Sequence, residues 1–527
     1  MGDRRVSEHP HSPVADGAAG VRSPEHPRRR RARSFGSALG LTLLGAIVPG
    51  TAFLAAGRRK LGAVVLVLFL LLVGGVAWLA NGGRRTAVRA AVDTGSLFWI
   101  VVGLALLAVV WAAVIVAGYC MLVPRRTSRG RHVLGALVVA VLVVCVAAPA
   151  AYASRLASVQ RDLIAGVFTD NGKSATVVDK PNPFGDQKRV NVLLLGGDGG
   201  AGRDGIRTDT VIVASIATDT GETTLFSLPR NLENLPFPAD SPLAKVYPDG
   251  FQADSESEGL LNAVYRNGPA AHPDILGPTD NPGADFLKLG VGEALGLHLD
   301  YYVLVNLDGF SRLVDALGGI TVNVNYYVPI NGDPGTRELP DAYIPPGPNQ
   351  HMDGFTALQF ARGRFGLTDY DRMARQRCTI DAIVKAADPV TLLRQYQQLA
   401  ATTQDIVFTD IPRSALDEFV DLAFRVKDAS IHSVVFDQKL INPAYPDYDQ
   451  MRQIVEDALT PPADAPAAPA DGTPADGTPA DGAPASSGPP GTSAAPGPVA
   501  DVTNACAYDP VAAEHARAAG EPPSKGR

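Results

Sequence analysis

Four cysteines in 527 residues, with no C-x-x-C pair among them, leave no basis for a zinc knuckle or a thioredoxin-like redox site. Lysine is missing from the glycine-rich stretch LLLGGDGGAGRDGIRTDTV (193–211). The pattern G-x-x-x-x-G-K-[ST] does not occur there, which excludes a nucleotide-binding P-loop in that stretch. Asp, Glu and Lys are absent from the cores of three long apolar runs, 61–80, 97–123 and 133–155. Transporters and proton pumps place ionisable groups at that depth, whereas plain anchors need none.

Each of those runs is long enough to span a bilayer. The first 34 residues are polar, carry PRRRRAR near their end and read as a disordered, basic cytoplasmic tail, too long and polar for a signal-peptide n-region. Segment 36–57 is apolar, but Pro49-Gly50 breaks it and Arg58, Arg59 and Lys60 follow at once. Counting it as a fourth span would place Arg125, Arg126, Arg129 and Arg131 on the outer side. Three spans, with 36–57 re-entrant or interfacial, keep both basic clusters inside, although Arg84, Arg85 and Arg89 then lie outside. The positive-inside rule favours three. The expected layout is a multi-pass membrane region over 35–156, a polar linker over 157–187, and a domain outside the cell, where disulfides persist.

Beyond the linker, unbroken apolar runs bounded by turn residues predict strands over 189–197, 209–216 and 223–229, a local meander. A helix follows over 287–300, then a strand over 301–308. The short helix GFSRLVDALGG comes next, closed by Gly318-Gly319. A strand over 320–328 precedes a helix with Asp353 as its N-cap and a long helix over 369–387. Residues 386–460 add helical runs, PVTLLRQYQQLAATT and SALDEFVDLAFRVK, and the strand IHSVVFD (431–437). They complete the same domain or extend it. Strands and helices in this mixture require a central sheet with helices packed against it. From 461 the near-repeat PADGT sets in, a composition unable to bury a core, so 461–527 is expected to be a disordered tether.

The stretch FARGRFGLTDYDRMARQR (360–377) holds five arginines and two aspartates in a chain of net charge -7. On a helix from about 369, Asp369, Arg372 and Gln376 share one face. An Asp369–Arg372 pair would leave Arg362, Arg364, Arg375 and Arg377 without carboxylates. Converging guanidinium groups match pyrophosphate in bidentate fashion and stabilise charge during phosphoryl transfer. The competing readings are a salt-bridged surface helix and a nucleic-acid footprint. Outward placement and interspersed aspartates disfavour the footprint. Asp198 and Asp209 offer oxygens suited to magnesium, though Asp in a glycine loop is also an ordinary turn residue. Arg207, and Arg230 in SLPRNL, are further candidates for the same pocket.

Taken in order, LLLGGDGG, RTDT, SLPRN, LNAVY, LDYYVLVNLDGFSRLVDALGGITV and ARGRF…DYDRMARQR resemble the LytR–CpsA–Psr family of membrane-anchored cell-wall enzymes. The resemblance covers about 188–385 and weakens towards 456. The multi-span N-terminus and Pro/Ala-rich tail look like actinobacterial members. The resemblance implies an α/β fold, a three-layer α-β-α arrangement with a mixed, largely antiparallel central sheet, and a catalytic domain over 188–385. It also implies a phosphotransferase that moves a glycopolymer from a polyprenyl-pyrophosphate carrier to peptidoglycan through a phosphodiester. Membrane lipids are then partners, and nucleic acid is not. Matched by motif, Asp198 and Asp209 would hold Mg2+ (or Mn2+). Arg207, Arg230, Arg362, Arg364, Arg372 and Arg375 would bind pyrophosphate, with Gln376 beside them.

Two positions depart from the family pattern. Arg377 stands where a second Gln often follows, and Asn231 stands where Asp commonly follows the Pro-Arg pair. A lipid-linked substrate also needs an apolar groove, for which 287–300 and 301–307 are candidates. A pyrophosphatase using water, and a regulatory protein binding polyprenyl phosphates without turnover, would use the same clamp. Cys378 and Cys506 are the two cysteines of the exported region. They are expected to pair, the alternative being a buried Cys378 and a free Cys506.

Overall fold

A computed structural model of the chain describes residues 32–168, 173–177, 183–198, 206–387, 407–460 and 499–526. It divides into two compact units, 1–78 with 103–152, and 79–102 with 153–527. Helices α1 (Phe35–Ile47), α2 (Thr51–Ala55), α3 (Arg59–Asn81), α4 (Arg84–Val92), α5 (Thr94–Leu122) and α6 (Arg129–Val167) come first.

Helices α3, α5 and α6 are long and apolar enough to cross a membrane. Side chains such as Leu68, Leu71 and Val109 stand exposed along them, as lipid-facing positions do. The chain is thus a multi-pass membrane protein with its globular domain outside. Segment 36–57 forms two short helices. α1 has 13 residues, short of the roughly 20 a span requires, and Pro49 lacks the amide hydrogen to continue it. In the first unit α1 and α2 pack Ala38, Ala52 and Ala56 with Leu122.

The second unit is built on a seven-stranded sheet, from strands β1 (Arg189–Gly197), β2 (Thr208–Ala217), β3 (Thr223–Leu228), β4 (Tyr301–Asn306), β9 (Val407–Thr409), β10 (Ile431–Val435) and β11 (Ala500–Asp501). Their order is β11-β10-β3-β2-β1-β4-β9. β1–β4 and β3–β10 are parallel, and the other four neighbour pairs are antiparallel. Successive side chains point to opposite faces, and both faces are covered. One packs Leu193, Leu195, Val213, Phe226 and Leu304 against helices α8 (Leu261–Ala271), α9 (Pro282–Leu295) and α14 (Tyr448–Leu459). The other turns Ile212 and Leu225 towards Ile380 and Val384 of α12 (Asp369–Ala386). It also turns Val190 and Tyr301 towards Leu416 and Leu422 of α13 (Leu416–Asp428). Burial on both faces explains why these strands read as continuous apolar runs.

A smaller lobe joins α10 (Leu307–Ala316) and α11 (Gly354–Arg362) to two antiparallel two-stranded sheets, β5 (Ile320–Val324) with β8 (Gly347–Met352), and β6 (Val328–Ile330) with β7 (Ala342–Ile344). Gly318 and Gly319 end α10 at φ +80 and +93, a conformation that favours glycine. The expected strand over 320–328 is therefore two strands. A short helix α7 (Pro242–Val246) caps the opposite side of the sheet.

Three expectations need correction. The linker is not a free connector. α6 runs on to Val167, because 157–167 contains no proline and keeps Ala157, Gln160 and Ile164 on one buried helical face. Residues 174–176 are then pinned by the buried Asp285 of α9, which accepts from Ser174 Oγ, Ala175 N and Thr176 Oγ1. The tail is also only partly as expected. Residues 461–498, and the helical run at 389–403, lie outside the described residues. Residues 499–526 fold, adding β11, α15 (Val502–Ala505) and α16 (Pro510–Ala519). Val502 is fully buried beside Ile431, an anchor that the average composition of the segment hides. Finally, the outer basic cluster is matched within its own unit. Arg89 of α4 pairs with Asp421, and the Arg85 guanidinium lies 5.6 Å from the Phe424 ring centroid. Asp417 and Glu418 open the same helix, α13. Its acidic face therefore pairs with this basic cluster within the folded unit.

Candidate active site

The site is assembled where β1 ends and β2 begins. Their register shifts between Gly196 and Gly197, and the intervening loop is closed by reciprocal bonds. Asp198 N donates to Arg207 O at 3.1 Å, and Arg207 N donates to Asp198 Oδ1 at 2.9 Å. One residue into β2, Asp209 Oδ1 accepts from Arg230 Nη1 at 2.9 Å and from Asn262 Nδ2 of α8 at 3.1 Å. Burial pushes the Asp209 carboxyl up. The Arg230 bond and charge, with Asn262 and Arg372, more than offset it and hold the group below the usual aspartate range.

Helix α12 supplies the opposite wall. Thr368 caps it in a box with Asp371, and this fixes where its first turn points. Arg372, 3% exposed, donates through Nη2 to Asp209 O and to Asp369 Oδ2, each at 3.0 Å. Its Nε is buried without a partner. Burial lowers its pKa to about 10 against the opposing pull of Asp369 and Asp209, with Arg230 and Arg364 lowering it further. Gln376 Nε2 donates to Thr210 Oγ1 at 2.8 Å.

These groups border a cavity of about 520 Å³. Asp198, Asp209, Arg362, Arg364, Arg372 and Gln376 line it together with Leu194, Ile212, Val305, Phe310, Leu313 and Ile380. Leu194 pairs with Ile212 in the ladder, three to four residues inward from the two aspartates. The charged and apolar linings are therefore displaced along the strands by roughly 10 Å. Arg364 is half-buried in this wall and has no carboxylate partner among the described residues.

Not every expected residue reaches the cavity. Arg375, 4% exposed, spends its donors elsewhere: Nε on Phe360 O at 2.7 Å, Nη1 on Tyr326 OH at 2.9 Å, and Nη2 on Gly363 O. It braces the turn between Arg362 and Arg364 and does not line the cavity. Arg207 pairs with Glu258, which also holds Arg266. Arg230 bridges Asp209 and Asp369, with Nε 3.5 Å from Asp369 Oδ1. Arg207 and Arg230 thus flank the cavity and do not line it. Arg377 turns to Ser433 Oγ on β10, at 3.2 Å. As for the groove, Val303, Val305 and Leu307 line the cavity, while α9, expected over 287–300, is core on the other sheet face. Asn262 and Glu258 were not singled out. Asn262 lies in the quoted LNAVY, and only its bond to Asp209 reveals its part.

Asp198 and Asp209 are hard oxygen donors, and both face one cavity. Among the described residues, no group of three or more His, Cys, Asp or Glu could hold a metal. That donor set fits magnesium, which takes one or two carboxylates and fills its shell with water and substrate phosphate. Midway along α12, Cys378 is disulfide-bonded to Cys506 of the C-terminal segment, Cα atoms 5.6 Å apart.

With this geometry in hand, comparison with known proteins is decisive for the family. The LytR_cpsA_psr family pattern matches residues 155–456, over half of the chain. The chain belongs to that family. It is 26% identical over 256 residues to Biofilm regulatory protein A of Streptococcus mutans, covering 47% of this chain and 57% of that protein. It is 29% identical over 255 residues to the polyisoprenyl-teichoic acid–peptidoglycan teichoic acid transferase TagU of Enterococcus faecalis, covering 46% of this chain and 69% of that one. Among solved structures, B. subtilis TagV matches with 22% identity and a TM-score of 0.36, covering 52% of this chain and 100% of that one.

Proposed function

We propose that this LytR_cpsA_psr protein is a phosphotransferase. It takes a glycopolymer from a polyprenyl-pyrophosphate carrier and attaches it to peptidoglycan through a phosphodiester. One observation carries the reading: a single cavity in the outward-facing domain joins an apolar lining to a wall bearing Arg364, a half-buried guanidinium with no carboxylate partner among the described residues. A cation in that state calls for an anion. An apolar floor beside it suits a lipid tail attached to that anion. The name of the enterococcal relative, a polyisoprenyl-teichoic acid transferase, agrees with this substrate class. The multi-span start and Pro/Ala-rich tail support an actinobacterial-type layout.

Arg362, Arg364 and Arg372 would grip the pyrophosphate oxygens in bidentate fashion and neutralise the charge that develops as the bridging P–O bond breaks. A peptidoglycan hydroxyl oxygen bonds to the glycopolymer-side phosphorus and its proton is released. Polyprenyl phosphate departs with the electrons of the broken bond. Asp209, held below its usual range by Arg230, serves as an anionic anchor and is a poor base. Asp198 and Asp209 would hold Mg2+ or Mn2+, which supplies further charge neutralisation at the phosphates. Arg207, Arg230 and Arg375 position this set from outside the cavity.

The test incubates the full-length protein in lipid nanodiscs with a lipid-linked pyrophosphate glycan, peptidoglycan and Mg2+. Polyprenyl phosphate together with wall-bound glycan phosphodiester is the expected result. Free glycan phosphate would replace the transferase by a pyrophosphatase. Tight binding without turnover would leave a carrier-binding regulatory protein.

A further inference from the structure

A second cavity, of about 470 Å³, takes no part in the chemistry above. It lies where residues 234–250 meet 445–448. We propose that it is a glycan-binding subsite that seats a pyranose ring of the transferred or accepting sugar chain against Tyr445 and Tyr247. The role in transfer rests on the phosphotransferase reading. The sugar-binding chemistry does not.

Tyr445 is 82% exposed. Its backbone is held by a bond from Tyr445 N to Asn442 O at 3.1 Å and by the fixed φ of Pro446. An aromatic face kept in water suits a partner with one apolar C–H face and polar edges, which describes a pyranose. Polar groups that would meet sugar hydroxyls share the cavity: the Asn234 amide, steadied by Gln252 Nε2 at 3.2 Å, and the exposed Asp249. Among the described residues, no arginine or lysine lines it. Phosphate is disfavoured beside Asp249, so the ligand class is neutral sugar.

The walls are cross-braced. Tyr448 OH donates to Glu233 O at 2.7 Å and Glu233 N donates to Pro443 O at 3.0 Å, which ties the two loops together. The Tyr247 ring lies 5.0 Å from that of Phe251 and 5.7 Å from that of Phe237. Asn234 sits at φ +51, a strained conformation that packing must enforce. Gly250, at φ +88, passes so close that a Cβ there would meet Asn234 O at 2.2 Å. Such preorganisation lowers the entropy lost on binding. The cavity is also tied to the chemistry. Arg230, the partner of Asp209, precedes Asn234 by four residues, so their backbones are at most roughly 14 Å apart.

The experiment measures chitotetraose binding to full-length protein in nanodiscs by saturation-transfer NMR and calorimetry, for wild type, Tyr445→Ala and Tyr445→Phe. We expect roughly tenfold weaker binding for Tyr445→Ala and near wild-type binding for Tyr445→Phe. No binding to wild type, or equal affinity in Tyr445→Ala, overturns the proposal. In the transfer assay, Tyr445→Ala should raise one KM with kcat unchanged. A higher KM for peptidoglycan assigns the sugar to the acceptor. A higher KM for the lipid-linked substrate assigns it to the donor. Two unchanged KM values overturn the subsite. Chitotetraose binding that depends on Tyr445, in a protein with no transfer activity, would instead sink the transferase reading and leave the sugar site standing.

Discussion

Arg372 and Arg375 stand on the same helix, equally buried, in two regions with opposite logic. On the cavity side, Arg372 shares one nitrogen between Asp369 and a backbone oxygen of Asp209, and its Nε has no partner. On the lobe side, Arg375 is matched at all three nitrogens by two carbonyls and a tyrosine hydroxyl. Both sites desolvate a charge. One leaves hydrogen-bonding capacity unspent beside an open volume, and the other spends it all on fixed neutral acceptors. Burial alone therefore does not separate these two arginines; the unspent donor beside the cavity does.

The contrast can be broken experimentally. The largest effect is expected for Arg364→Ala, which should lower transfer by about 10²–10³-fold while leaving the unfolding midpoint unchanged. A fall in stability with normal activity per folded molecule would move Arg364 to the structural group. Next, Cys506→Ser should remove about 2–4 kcal/mol of stability, read from denaturant curves, and wild type in reductant should match it. Arg375→Ala leaves buried acceptors unpaired and should reduce stability by about 1–3 kcal/mol. An unchanged denaturation midpoint would return its guanidinium to the binding set.

The smallest effect concerns pH. The folded pKa of Asp209 is lowered, so its contribution is complete above the ordinary aspartate value of about 3.9. It is lost as pH falls from there through the lower folded value. Wild type should therefore lose stability more steeply than Asp209→Asn in that acidic window, and parallel curves would show that the carboxylate gains nothing from Arg230.

Much of this was legible in the sequence. Strand β1 was read at its true limits because a doubly covered strand is apolar throughout. The N-caps Asp353 and Thr368 stand where α11 and α12 begin, and only the first had been assigned. The helical period placed Arg372 and Gln376 on one face, and both line the cavity. It could not tell that Arg375, about 60° away, meets carbonyls at Phe360 and Gly363, because those acceptors belong to the backbone and carry no side-chain signal. Glu258 went unnoticed because its partner Arg207 is 51 residues away in sequence. The folded segment 499–526 was hidden for another reason. A compositional average weighs Val502 like any alanine, whereas its burial at the sheet edge depends on one position.

The bond between Cys378 and Cys506 has a consequence for the chain as a piece of string. The two residues are 128 positions apart, and everything between them, the PADGT repeats included, belongs to a closed covalent ring. A protease that cuts the ring once opens it without freeing anything. The C-terminal helix would stay attached to α12 after such a nick, and two fragments would separate on a gel only once a thiol reductant was added.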